Sequence, residues 1–124
     1  SSFNWREVVG AMSDSEESLK RITQHPGVIG VAVLDDQGKV ARYTLPAEMA
    51  EQYGEAIFRI ISLGRTCVRD VDPTNDLNYV RIDTRKFEIL IAPYWGDSSK
   101  LAGIPTLEKG YTLFVLQRKP GHQA

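Results

Sequence analysis

Few residues in this chain could do acid–base, nucleophilic or metal chemistry, and their spacing fits none of the patterns such chemistry needs. The densest acidic run is Asp70-Val71-Asp72-Pro73-Thr74-Asn75-Asp76. A calcium loop of the EF-hand type needs Gly at its sixth position and Glu at its twelfth. Here those positions hold Asn75 and Arg81, so a helix end followed by an Asx turn is the better reading. The histidines are His25 and His122, neither beside a Ser or Cys in a nucleophile motif. His25 falls at a helix C-terminus, where the negative end of the dipole favours a cation. The single Cys67 lies beside the apolar stripe of a long helix, which predicts an inert buried thiol. Glu7, Glu48 and Glu51 read as helix-surface charges with no partner carboxylate for acid–base work. Gly27-Val28-Ile29-Gly30 precedes a strand and lacks the Lys-Ser/Thr of a P-loop, so it reads as a turn with close backbone packing. No cofactor, metal or catalytic residue is expected.

Composition closes further options. The chain has 124 residues, 42% apolar and 25% charged, with a formal net charge of −1. That length is one ordinary domain able to bury its own core. The near-zero charge argues against nucleic acid, whose binders carry a basic excess. One cysteine permits no internal disulfide and fits a reducing compartment. No apolar run approaches the roughly 20 residues of a membrane span, and no secretory signal is read at the start.

The elements that must position any site follow from periodicity. Asn4-Trp5-Arg6-Glu7 reads as a capping box, and Trp5, Val8, Met12, Leu19 and Ile22 form a helical stripe. Either one helix runs from about residue 5 to 24, or a short one precedes a second over 14–24. Pro26-Gly27 ends it. Val28 to Leu34 predicts an interior strand, Asp35-Asp36-Gln37-Gly38 a hairpin turn, and Lys39 to Thr44 a second strand. Pro46 suits a first helical position, and Ala50, Tyr53, Ile57, Ile60, Ile61, Gly64 and Val68 predict a long helix ending near Asp70 to Val71. Strands follow at Leu77 to Asp83, Phe87 to Ala92 and Thr112 to Leu116. In the first of these Val80 and Ile82 face one way and Leu77, Tyr79 and Arg81 the other. Pro93 to Gly110 is a long loop carrying Trp95, Leu101, Ile104 and Leu107, either packed on its own sheet or presented to a partner. The order predicts an α+β domain with a five-stranded, mainly antiparallel sheet covered by helices.

The run Val68-Arg69-Asp70-Val71-Asp72-Pro73-Thr74-Asn75-Asp76-Leu77-Asn78-Tyr79-Val80-Arg81-Ile82 resembles the roadblock family of dynein light chains. The likeness continues through Lys86-Phe87-Glu88-Ile89-Leu90-Ile91-Ala92-Pro93 and resumes at Tyr111 to Gln117, covering about residues 15 to 120. Two departures stand out: an N-terminal extension over 1–13 and a loop insertion over 94–110. The resemblance implies a single roadblock-like domain over 1–124, with the long helix on one sheet face and the N-terminal helix on the other. It implies a non-enzymatic subunit, a homodimer or a heterodimer with a related light chain, joined through third strands and long helices. Leu77, Tyr79, Arg81, Arg59 and Leu63 are then interface candidates and Gln52 a candidate for partner contact, to which the apolar residues of the long loop add Trp95, Leu101 and Ile104. The partner would be the dynein intermediate chain, in cytoplasm or cytoskeleton, with cytoplasmic or axonemal dynein. A scaffold or regulator of a small GTPase is the alternative.

Overall fold

The computed structural model describes residues 16–95 and 110–119. Helix α1 spans Glu16–Thr23, strands β1 and β2 span Val28–Leu34 and Val40–Tyr43, and helix α2 spans Ala47–Val71. Strands β3 (Val80–Asp83), β4 (Phe87–Tyr94) and β5 (Tyr111–Arg118) follow. They form one sheet in the order β2-β1-β5-β4-β3, and every neighbouring pair is antiparallel. The expected α+β layout is therefore present. The capping box and the choice between one N-terminal helix and two lie outside the described residues.

Alternation along the strands divides the core into two layers, because successive side chains point to opposite faces. On one face Leu19 and Ile22 of α1 meet Val31, Val33, Leu90, Ala92, Leu113 and Val115. On the other, Ala50, Ile57 and Ile61 of α2 meet Ala32, Leu34, Ile89, Ile91, Phe114 and Leu116. A sheet covered on both faces explains why β1, β4 and β5 read as almost continuous apolar runs.

Local chemistry sets the junctions. The β1–β2 turn closes because Asp35 Oδ1 accepts the amides of Gln37 and Lys39, at 2.9 and 3.0 Å. Gly38 there has φ of +83°, and a Cβ would sit 2.6 Å from the Phe58 ring. At Gly30 a Cβ would lie 2.8 Å from Leu45, so close packing, not a phosphate cradle, accounts for that glycine. Pro46 occupies the N-cap of α2 rather than its first turn, with ψ of 137° and its carbonyl accepting the Ala50 amide. At the other end Asp72 is extended, as the residue before Pro73 must be.

The expected strand boundaries shift most at β3 and around the long loop. β3 begins at Val80, not Leu77, because the Leu77 amide donates to Asp76 Oδ1 and its carbonyl accepts from the Trp95 indole, so neither joins the ladder. β4 continues through Pro93 and Tyr94 while β5 begins at Tyr111, so the loop starts later than Pro93. Tyr94 and Tyr111 stack across that pair with centroids 4.9 Å apart. The middle of the loop lies outside the described residues.

Candidate interaction surface

The long helix carries two apolar stripes, and only one meets the sheet. Ala50, Gly54, Ile57 and Ile61 are buried. Ile60, Leu63, Cys67 and Val71 recur at the same three- and four-residue steps but stay exposed, at 43% for Ile60, 66% for Leu63 and 88% for Val71. Cys67 is thus exposed rather than buried, and Ile60 lies outside the core stripe. The physical reason is placement. Ala50, Gly54, Ile57 and Ile61 form the stripe turned to the sheet, and Ile60, Leu63, Cys67 and Val71 lie roughly 100° round the helix from it, on a face that the chain's own sheet does not cover. Val80, Ile82 and Phe87, on the same face under β3 and β4, are only half-buried. An exposed helix flank therefore borders an incompletely covered part of the sheet.

The two sheet edges differ. In β2 the register to β1 slips between Val33 and Leu34, leaving Ala41 as an extra residue. Such a bulge twists an edge away from further pairing. β3 pairs with β4 without a slip, from Val80 opposite Ile91 to Asp83 opposite Glu88. Thr84 donates its amide to the Phe87 carbonyl. Antiparallel alternation then turns the backbone groups of Arg81 and Asp83 away from β4, toward a side with no other strand among the described residues.

A cluster of charges fixes how the chain leaves α2 and reaches that edge. Arg65 grips Asp76 through both carboxylate oxygens, at 2.9 and 3.1 Å, and Arg69 approaches the same carboxylate at 3.5 Å. The Arg65 hydrogen bond holds the Asp76 carboxyl below the usual carboxylate range. Asp72 Oδ1 accepts the Thr74 amide and hydroxyl, which lower its pKa in the same direction, the hydroxyl most. The acidic run is thus spent on an Asx turn and an arginine clamp. Among the described residues no three His, Cys, Asp or Glu side chains converge on a metal-sized site. No described helix is long and apolar enough to cross a membrane.

The remaining candidates fall as follows. Tyr79 is 53% exposed just before β3, and Arg81 on β3 donates to Glu88. Leu77 does not share their side. It is half-buried with Val80 and Ile82 in the α2-side core, because Asp76 and Trp95 hold its backbone groups outside the strand's alternation. Arg59 is exposed and pairs with Glu55 one helical turn away, and Gln52 is exposed near the start of α2. Trp95 is half-buried: its indole donates to the Leu77 carbonyl at 2.8 Å, and the Arg65 guanidinium sits 4.2 Å over its ring. Leu101 and Ile104 lie outside the described residues. His25 serves the turn after α1, its amide donating to Ile22 and its carbonyl accepting from Val28. Ile60 and Val71 are surface residues that the sequence reading did not nominate. Their spacing from Leu63 was the available signal.

The model of the Roadblock/LC7 domain matches residues 14–95, well over half of the chain. The chain belongs to the Roadblock/LC7 family. A solved Roadblock/LC7 domain from Streptomyces avermitilis superposes with a TM-score of 0.65 at 17% identity. That match covers 85% of this chain and 78% of the bacterial one, and it shows the shared Roadblock/LC7 fold. The family includes dynein light chains and small GTPase regulators. Its domains are generally non-catalytic adaptors that dimerise and bind partners.

Proposed function

We propose that this chain is a non-catalytic light chain that pairs with a second light chain and holds a helical segment of a dynein intermediate chain. The carrying observation is the contrast between edges: β3 is unslipped and has no further strand beside it among the described residues, and α2 carries an exposed apolar flank, whereas β2 is bulged. An open edge with outward amides favours pairing with another strand. Two-fold pairing of identical edges closes on itself. It would also bring a second α2 alongside Ile60, Leu63 and Val71 and over Val80 and Ile82. Tyr79, Arg81, Arg59 and Leu63 are the interface residues on this reading, with Leu77 supporting them from within.

The joined sheet and paired helices form one groove wider than either copy offers. An amphipathic helix docks in such a groove through residues at i, i+3, i+4 and i+7. Gln52 is proposed to border it and Trp95 to anchor the start of the insertion, and Leu101 and Ile104 are proposed as further partner contacts. The role assigns the chain to cytoplasm and cytoskeleton, with cytoplasmic or axonemal dynein. Calorimetry with an intermediate-chain helical peptide tests it, and no association at high micromolar concentration would overturn the motor reading while leaving dimerisation to be measured separately.

A second reading is a scaffold or regulator of a small GTPase. Its support is Arg85, exposed in the β3–β4 turn and without an ion pair among the described residues. An arginine at such a position could reach a bound nucleotide. Hydrolysis assays with candidate GTPases, with and without Arg85→Ala, separate the two readings.

A further inference from the structure

An antiparallel seam between two β3 edges has few possible registers. Only residues whose backbone groups point outward can form hydrogen-bonded pairs across it. On β3 these are Arg81 and Asp83, with Tyr79 just before the strand. Setting Arg81 opposite Arg81 of a second copy places like charges together, which destabilises a cross-strand pair. Setting Asp83 opposite Asp83 does the same, and brings Arg81 against Arg85. Setting Tyr79 opposite Tyr79 or Arg81 requires Leu77 to face Arg81 or Asp83, although Leu77 is committed to the α2-side core, and setting Asp83 opposite Arg85 carries the pairing past the end of β3 into the turn. The remaining register sets Arg81 opposite Asp83, twice by symmetry, with Ile82 on the axis.

The side chains are placed to use it. Val80 and Ile82 join the α2-side core, so Arg81 and Asp83 project from the opposite face. Arg81 donates through Nε and one terminal nitrogen to Glu88. Glu88 is buried and also accepts from Gln117. Yet the Arg81 side chain is 61% exposed, and a guanidinium has five N–H donors, so it can serve a second carboxylate. Asp83 is 63% exposed and meets Lys119 at 2.7 Å, leaving acceptor capacity on the same face.

Resting on the dimeric reading above, we propose that a second copy of this chain pairs along β3 in the register that sets Arg81 opposite Asp83 of that copy. The seam is then a charge ladder running Lys119, Asp83, Arg81, Glu88 in alternating sign from one copy to the other. A related chain lacking either charge pairs less well, so the ladder favours self-association.

The test is cross-linking at the axis. In this register Ile82 forms a non-hydrogen-bonded pair with its own copy, with Cα atoms about 4.5 Å apart, inside disulfide reach. A two-residue slip adds roughly 7 Å along the strand and takes it out of reach. In a Cys67→Ser background, Ile82→Cys is expected to give a covalent dimer on mild oxidation. Sedimentation of the same protein under reducing conditions reports dimerisation independently. A dimer that does not cross-link overturns the register alone, and a monomer overturns the dimeric reading with it.

Charge exchange provides a second arm. Arg81→Asp and Asp83→Arg are each expected to weaken self-association roughly tenfold or more, since two pairs become repulsive. Mixed in equal amounts, they should recover a heterodimer with opposite charges restored. An Asp83→Arg variant that dimerises like the parent overturns the register. Because Arg81→Asp removes the only cation from buried Glu88 among the described residues and so weakens the fold as well, the axis cross-link decides the matter on its own.

Discussion

Replacing Leu63 by Gln isolates the exposed helix flank from the fold. Gln has nearly the helix propensity of Leu, so the backbone loses little. Leu63 is 66% exposed in the single chain, so its removal should leave unfolding free energy within about 0.5 kcal/mol of the parent. In a two-fold dimer the same surface is covered in both copies. Full burial of a Leu side chain stabilises by about 2 kcal/mol, so burying the exposed two-thirds contributes about 1.3 kcal/mol per copy. Two copies give about 2.6 kcal/mol, or a dissociation constant raised on the order of 50- to 100-fold. That figure is an upper bound, since it assumes complete coverage. Sedimentation equilibrium measures the association, and urea unfolding well below the dissociation constant measures the fold. Unchanged association would refute the assignment of this flank to a dimer. A clear loss of monomer stability would refute the claim that Leu63 has no role within the chain.

Asp76→Asn should lower stability by about 1 kcal/mol at neutral pH, a modest value because Arg65 and Asp76 are both about one-third exposed. Asp76 is held below the ordinary value of 3.8, so its contribution is present above that pH and fades as pH falls through the lower folded-state value; urea unfolding of parent and variant should converge there. Tyr111 is pushed up to about 12 by burial, with the neighbouring Tyr94 adding to it. Its contribution is therefore complete below pH 10 and lost as pH rises toward 12, and an ultraviolet titration of phenolate should show one late-ionising tyrosine that Tyr111→Phe removes. Exposed Cys67 should react with a thiol reagent without denaturant, and protection that grows with protein concentration would locate it in the interface.

Where sequence reading succeeded, short-range chemistry decided the structure. β1 runs from Val28 to Leu34 as expected, between a glycine turn and an Asx turn. α2 stops at Val71 because Asp72 precedes Pro73. The misplacements all depend on partners distant in sequence. Alternation of residue type puts Leu77 beside Tyr79, but Asp76, clamped by Arg65 from α2, holds the Leu77 amide outside the strand, and the side chain packs inward. Pro93 reads as a strand terminator, yet it sits opposite Thr112 in the ladder, followed by the Tyr94–Tyr111 stack. Helical spacing places Ile60 and Cys67 near the core stripe, but spacing does not say which of two adjacent stripes meets the sheet. The interface candidates were legible only through resemblance, since an edge strand is defined by what does not pair with it.

The unequal edges limit how large an assembly can become. A sheet with two equally receptive borders can add copies at both ends, and nothing internal halts the growth into a filament. Here the slip at Ala41 makes one border a poor template, while in the proposed dimer the regular border would be used up by a single joining event. On that pairing each copy is monovalent for strand addition. One extra residue in a four-residue strand would then act as a chain terminator, holding the proposed assembly to two copies without any contact across the seam.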